Sequence, residues 1–427
     1  MSEITIIGAG LSGLGTSYHA GHERCAIYEA KAYAGGHIHS IEREGFTFDE
    51  GPHVLFTGNE YVRELFAESV DGDVVDFDAK ASNYFQGHWI DHPAQSNLHQ
   101  VPEPLRSQCV QAFLEARSAP QAKPGDYQEW IDQAFGKVFA ETFPAAYTRK
   151  YWTTDPKNLG TDWIGARVYY PKIEDVVNGA KGPLTRNTYW VQKSRYPARG
   201  GYLSFCRKLT HGARVNYGKT LEWINFSERQ LGFVDGTELD YDTLVSTIPL
   251  PTLIKCSEDA PPEVHEAARL LRASNIYLVD VGVRHPAKHK NTWIYVYDED
   301  KLSTRISTME HFSPHNTPAG CTGMSVEVYG SAYRPLPEDR EEVKRRVVAE
   351  LIEMGLLESP EAVIFSQIRF IPWGQVIFDH NRRGALEVIN GFLDSMGVAR
   401  VGRYAEWKYL MTHDCVLRSR RVAARLS

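Results

Sequence analysis

Cysteine is scarce. Six occur in 427 residues, at positions 25, 109, 206, 256, 321 and 415, and no two form a CxxC pair. That excludes a disulfide scaffold and a paired-cysteine zinc site; no metal is called for, and a reducing, cytoplasmic compartment suits the chain. No apolar run reaches the roughly 18 residues of a membrane span. Met1 is followed at once by Ser2, Glu3 and a strand-like run, so no signal peptide is expected. Positive charge is in deficit, with 47 Lys and Arg against 54 Asp and Glu and a net charge of −7. The whole-protein basic footprint of a nucleic-acid binder is therefore missing, although a local basic site for a small anion is compatible with these totals. Internal repeats and low-complexity tracts are also missing. The composition, 42% hydrophobic and 24% charged with 34 Gly and 22 Pro, is that of an ordinary globular chain. Disorder and collagen-like structure are ruled out. The length allows two or three domains, or one large discontinuous one.

The first thirty residues carry the clearest signal. Ile4-Thr5-Ile6-Ile7 reads as a buried strand, Gly8-Ala9-Gly10-Leu11-Ser12-Gly13 as a turn, Leu14 to Ala20 as a helix, and Cys25 to Glu29 as a second strand ending in an acid. Each glycine has a physical reason. Gly8 permits the tight turn, Gly10 lets the backbone approach a pyrophosphate, and Gly13 lets the helix pack on the strand. Free N–H groups at the helix start, among them those of Leu11 and Ser12, hold the anion, and Glu29 is placed to bond a ribose hydroxyl. A glycine turn without a ligand is the alternative. Next come Gly35-Gly36-His37, a glycine pair that lets the chain pass close to a cofactor or to the first helix. A strand, Gly45 to Asp49, then leads into Gly51-Pro52-His53. His53 is either a loop histidine bonded to the backbone or a neighbour of the cofactor.

Further along, Glu60 to Ser69 reads as a helix and Tyr84 to Ile90 as a hairpin with a glycine turn. Leu105 to Arg117 and Tyr127 to Phe135 have helical spacing, separated by a Pro-rich loop, as in a separate helical subdomain. Leu203 to Gly212 reads as a helix. Val215 to Asn225, Gln230 to Val234 and Thr243 to Thr247 read as strands. Alternation in Ile276–Val283, Trp293–Tyr297, Arg305–Met309 and Thr322–Tyr329 reads as antiparallel sheet. Residues 336–355 form an acidic-to-basic helix with a solvated face. Val398 to Arg403 reads as a strand, with a final helix running toward Leu426.

The layout of the N-terminal segment resembles the FAD-binding fold shared by amine oxidases, phytoene desaturases and UDP-galactopyranose mutases. Over nearly the full length the chain resembles the UDP-galactopyranose mutases, especially their eukaryotic-like branch. The stretches that carry this are GGHIHS (35–40), FDEGPHVLF (48–56), EAR followed by YQEWI (115–131), WIGARV (163–168), YPARGG (196–201), LVSTIP (244–249), WIYVYDEDKLSTRIS (293–307), HFSPHNTP (311–318) and GRYAEWKY (402–409). The resemblance implies an α/β chain with a Rossmann-like FAD-binding domain of the GR2 type, discontinuous over 1–60, 196–250 and 375–427. It further implies an antiparallel-sheet substrate domain over 61–102, 163–195 and 251–374, and a helical subdomain over 103–162. It implies an isomerase that interconverts UDP-galactopyranose and UDP-galactofuranose with FAD active in its reduced form. In that chemistry the flavin N5 displaces UDP from the anomeric carbon, the adduct opens to an iminium, and the ring recloses through the 4-hydroxyl. The electrons would come from NAD(P)H or a separate reductase, and a homo-oligomer is compatible with the family.

Site residues follow from the same resemblance. Arg167 and Arg305 match the diphosphate arginines, and forked guanidiniums suit that task. His53 would lie against the flavin; Gly51, Pro52, Gly402, Arg403 and Asp414 would complete the flavin site begun by Gly8, Gly10, Leu11, Ser12, Gly13, Glu29, Gly35, Gly36 and His37. Tyr295 and Tyr409 match tyrosines at the diphosphate, and Trp152 and Trp293 match pocket tryptophans. His92 and Gln95 match the uridine turn, with the Gln95 amide reading the uracil edge. Several positions depart from the pattern: Thr148 and Val191 stand where asparagines are expected, Gln375 replaces a tyrosine, and Ala94 replaces a residue that would stack on the base. These changes leave the flavin motif and both arginines intact and put the identity of the sugar and base in question. The rivals are an FAD-dependent oxidase or dehydrogenase of the amine-oxidase type and a non-catalytic flavoprotein that binds a nucleotide sugar.

Overall fold

The computed structural model describes residues 3–165, 167–185, 188, 191 and 193–426; the Met1-Ser2 start and Ala166 of the WIGARV stretch lie outside them. Five strands form a parallel sheet in the order Ala399–Arg400, Thr243–Ser246, Ile4–Ile7, Cys25–Glu29, Val215–Tyr217. Ile4–Ile7 is fully buried at its centre, as a β-branched run flanked by strands on both sides requires. The helix Leu11–Ala20 covers it and packs against the C-terminal helix Thr412–Ala423, joined by the Ser419 hydroxyl donating to the Ser12 carbonyl (3.0 Å).

A seven-stranded sheet runs Val363–Ile371, Asn275–Val283, Thr322–Gly330, Arg305–Thr308, Trp293–Val296, Ala81–Phe85, His88–Asp91. All its pairings are antiparallel except Trp293–Val296 with Ala81–Phe85. Its register places the site. Tyr295 pairs with Arg305, and Arg305 with Glu327, so these three side chains share one face. The next row, Ile294, Ile306, Val326 and Val279, turns the opposite way. There it meets Val343, Val347 and Leu351 of the helix Arg340–Glu353 in one apolar cluster. The solvated face expected of that helix is thus opposed by a buried stripe at i, i+4, i+8 spacing.

Helices Leu105–Ser118, Tyr127–Phe135, Lys137–Ala140 and Ala146–Tyr151 follow in sequence, the last two joined by a π-helical turn that contains Pro144. Lys150 is buried and ties this group to the large sheet, its Nζ donating to the Asp298 and Ser303 carbonyls at 2.7 Å each.

Three local expectations are corrected. The strand expected over 215–225 is broken at Gly218 into Val215–Tyr217 and Leu221–Asn225, which belong to different sheets. The helix expected over 203–212 is a 3-10 segment, Tyr202–Cys206, followed by one α turn, Arg207–Thr210. The strand expected over 398–403 shrinks to Ala399–Arg400, because at Gly402 the backbone turns onto Ser12. The strand Val363–Ile371 and the helices Ile173–Lys181 and Arg382–Ser395 were not anticipated. Among the described residues no helix is long and apolar enough to cross a membrane.

Candidate active site

A cavity of ≈ 570 Å³ runs between the two sheets, from the first strand turn to the helical segment. Its first end is built by glycines. The helix Leu11–Ala20 starts at Gly10 with no side-chain cap and no acid in its first turn. Its leading N–H groups therefore face the cavity without a side-chain acceptor. A Cβ on Gly13 would stand 1.9 Å from the Gly8 carbonyl oxygen, so only glycine lets the helix lie this close to the strand. A Cβ on Gly36 would come within 3.0 Å of the Gly10 Cα, and Gly35 N–H donates to the Ala9 carbonyl (2.9 Å). The glycine pair is thus bound to the first turn, and together they leave a bare backbone trough. Glu29 lines it; its carboxylate accepts from Ala9 N–H (2.7 Å) and Lys31 N–H (2.8 Å), which fixes its orientation. An uncapped helix start, a side-chain-free trough and a fixed acid at the second strand fit a dinucleotide pyrophosphate and ribose.

The middle of the cavity is bordered by Glu50-Gly51-Pro52-His53. Buried Asp49 anchors this loop. Its carboxylate accepts from the Ser40 hydroxyl (2.6 Å), the Tyr196 hydroxyl (2.7 Å) and the Tyr202 N–H (3.0 Å). Burial nevertheless raises its pKa to about 6. His53 Nδ1 lies 2.9 Å from the Gly51 carbonyl, an acceptor only, so Nδ1 carries the proton. Burial lowers the His53 pKa to about 4, and the ring is neutral at pH 7. Gly402 and Arg403 close the opposite side; Arg403 donates to the Leu410 carbonyl (2.8 Å) and the Gln375 side-chain oxygen (3.0 Å). Gln375, where a tyrosine was expected, thus positions an arginine.

Beyond lie the two arginines, in unlike settings. Arg305 is forked onto the carboxylate of buried Glu327, which also accepts from the Tyr329 hydroxyl (3.0 Å). Arg167 has no carboxylate partner among the described residues. It donates to the Trp163 and Tyr409 carbonyls, 3.0 Å each, its guanidinium lies 4.5 Å from the Tyr409 ring centroid, and its Nε is buried without a hydrogen-bond partner. Arg403 likewise has no carboxylate partner among the described residues. Two guanidiniums on a half-open cavity, their hydrogen bonds made to carbonyl and amide oxygens, leave positive charge that an anionic ligand would neutralise.

The far end is aromatic. Tyr127, Phe135, Phe139, Phe143, Tyr147 and Tyr297 line it, with His92, Gln95, Thr148 and Val191 among them. His92 lies 4.8 Å from the Tyr295 ring and 2.9 Å from Asn83 Oδ1; burial lowers its pKa to about 3. Gln95 donates to the Tyr169 carbonyl (3.2 Å). Ala94 lies in the apolar core, outside the lining.

Of the residues expected from sequence, the cavity brings together Gly8, Gly10, Leu11, Ser12, Glu29, Gly35, Gly36, His37, Gly51, Pro52, His53, Gly402 and Arg403 with His92, Gln95, Trp152, Arg167, Trp293, Tyr295, Arg305 and Tyr409. Gly13 acts from behind, as packing. Asp414 is not brought in: its Oδ2 accepts from Met411 N–H (2.9 Å) and caps the last helix. Sequence reasoning missed Glu50, Glu327, Trp163 and the phenylalanine wall. Glu327 had a signal, an acid at an inward position of the otherwise uncharged strand Thr322–Gly330.

A family model for flavin-containing amine oxidoreductases matches residues 18–426. Among solved structures, a reduced UDP-galactopyranose mutase is 22% identical with a TM-score of 0.92, covering 100% of this chain and 95% of the other. A fatty acid isomerase from P. acnes is 15% identical (TM-score 0.67; 99% and 98% covered). Putrescine oxidase bound to putrescine is 13% identical (TM-score 0.65; 100% and 98% covered). At these identities the likeness is one of fold.

Proposed function

The chain belongs to the flavin-containing amine oxidoreductase family, with FAD as its cofactor, and from that premise we propose that it is a nucleotide-sugar mutase. Its substrate would be UDP-galactopyranose, or a close UDP-sugar analogue, interconverted with the furanose form. The observation that carries this reading is the pair of guanidiniums on the lining of the cavity, Arg167 and Arg403, which have no carboxylate partner among the described residues. A nucleoside diphosphate supplies the missing negative charge, whereas a protonated amine is repelled by the two guanidiniums. The fold likeness to a UDP-galactopyranose mutase supports the same choice.

Reduced FAD, bound along the glycine trough, would supply the nucleophile that releases the nucleoside diphosphate from the anomeric carbon, reduction coming from NAD(P)H or a reductase. The residues do the rest. Glu29 and the first helix turn hold the dinucleotide. Neutral His53, its Nδ1–H tied to Gly51, would offer a bound flavin an uncharged edge without competing for protons. Arg167, stacked on Tyr409, takes up the charge that grows on the departing diphosphate. Arg305 is held rigid by Glu327 and contributes orientation and hydrogen bonds more than net charge. The aromatic wall excludes water and gives a base a surface to stack on, worth about 1–3 kcal/mol per base.

Two additions to the oxidised, FAD-loaded protein separate this reading from an amine oxidase. UDP should perturb the flavin absorption, and putrescine added without oxygen should leave the flavin oxidised. Bleaching by the amine with no response to UDP would reverse the assignment.

A further inference from the structure

A second hollow, of ≈ 600 Å³, lies outside the cavity and shares four lining residues with it: Trp163, Arg167, Tyr409 and Leu410. The partition between the two is the short turn Trp407–Leu410 together with Arg167. Trp407 is fully buried and has φ +52°, a left-handed conformation that a bulky residue adopts only when its surroundings impose it.

Arg382 is bound directly to this turn. Its Nε (3.1 Å) and Nη2 (2.5 Å) both donate to the Trp407 carbonyl, and its Nη1 donates to Asp162 Oδ2 (3.1 Å). The guanidinium lies 4.1 Å from the Phe378 ring centroid, and the Arg382 N–H donates to Asp379 Oδ1 (3.1 Å). The next carbonyls of the turn are held the same way. Tyr409 O accepts from Arg167 (3.0 Å) and Leu410 O from Arg403 (2.8 Å). One turn therefore carries three guanidiniums. Arg167 and Arg403 face the inner cavity; Arg382 lines only the outer hollow.

We propose that Arg382 is a positioning residue for the anion site: by fixing the left-handed turn at Trp407 it sets the Tyr409 carbonyl and ring against which Arg167 is aimed into the cavity. The inference deepens the nucleotide-sugar reading and rests on it for the identity of the anion. A lysine cannot replace Arg382, because its ammonium lacks the rigid planar pair of N–H donors that fixes the direction of the Trp407 carbonyl.

The test uses the full-length, FAD-loaded protein. Binding of UDP and, separately, of inorganic pyrophosphate is measured by calorimetry for wild type, Arg382→Ala, Arg382→Lys and Asp162→Asn. The flavin spectrum and the unfolding temperature are recorded for each. Both Arg382 variants should bind both probes about tenfold more weakly, roughly 1.4 kcal/mol, with flavin content and spectrum unchanged. Asp162→Asn leaves the fork on Trp407 intact, so its affinities should stay within about twofold of wild type, about 0.4 kcal/mol. Arg382→Lys keeps most of the buried volume and carries the test if the alanine variant does not fold. Wild-type affinity for pyrophosphate in Arg382→Lys would overturn the proposal, as would parallel loss of flavin and anion, the mark of a merely structural role. If wild type binds pyrophosphate but not UDP, the nucleotide reading fails while the pyrophosphate ratios still decide the role of Arg382. If it binds neither, both fall.

Discussion

At the scale of single residues, the two expected arginines have different physical jobs, and substitution should separate them. Arg305→Ala leaves the Glu327 carboxylate buried and unpaired, an error that typically removes about 3–5 kcal/mol of stability. Arg167→Ala strands no carboxylate. Thermal unfolding should therefore show a large drop for Arg305→Ala, partly restored by adding Glu327→Gln. Arg167→Ala should unfold nearer to wild type yet bind UDP about 100-fold more weakly, roughly 2.7 kcal/mol, with FAD retained. Equal unfolding temperatures, or undiminished UDP binding in Arg167→Ala, would contradict these roles. Asp49 gives a pH prediction. Its pKa is about 6 in the folded chain against an ordinary 3.8, so between these values the native state holds a proton that the unfolded chain has lost. Stability from this group is fully present below pH 3.8 and declines as pH rises through 6. Relative to Asp49→Asn, wild type should gain in unfolding free energy as pH falls from 7 to 4; a constant difference would show that Asp49 does not titrate there. What was legible at this scale was whatever sits in a motif. Arg382 could not be read, because beside the exposed Arg383 nothing in the sequence marks one arginine as buried and forked. Glu327 and Asp280 could have been, since each is an acid inside a buried strand, and each is paired with an arginine, Arg305 and Arg369.

Elements were legible where the chain itself enforces them. The strand, glycine turn and helix at the start are set by β-branched residues and by the lack of side chains at Gly8, Gly10 and Gly13; their order is the expected one, but the helix begins at Leu11, so Leu11-Ser12-Gly13, read as turn, form its first turn. The clash at Gly13 makes a direct prediction. Gly13→Ala adds one methyl group 1.9 Å from the Gly8 carbonyl oxygen, so the first helix must move off the strand and lose its hold on the dinucleotide. The purified variant should emerge without yellow colour and fail to take up added FAD; a normal flavin spectrum in the folded variant would refute this. Elements that depend on distant partners were less legible. Val363–Ile371 is an edge strand held by its pairing with Asn275–Val283, and its half-exposed residues carry little alternation. The two-residue strand at Ala399 exists only through its pairing with Thr243–Ser246.

At the scale of the molecule, function depends on bringing together segments far apart in sequence. The cavity takes its trough from the first fifty residues, its arginines and their partners from Trp163, Arg167, Arg305, Glu327, Arg403, Tyr409 and Leu410, and its aromatic wall from Tyr127, Phe135, Phe139, Phe143, Tyr147 and Tyr297. Composition could exclude whole classes of protein, but it could not place Arg167 beside Tyr409; that contact needs the fold. The resemblance of ordered motifs along the chain was what linked them beforehand. The proposed reaction rearranges a sugar ring with no net redox change yet requires reduced FAD. It is tested most directly by incubating UDP-galactofuranose without oxygen with the purified protein, before and after dithionite reduction, and separating the products by chromatography. UDP-galactopyranose is expected from the reduced enzyme and none from the oxidised enzyme. Unchanged substrate with fully reduced, UDP-binding enzyme would contradict this choice of sugar, and conversion by the oxidised enzyme would contradict the chemistry.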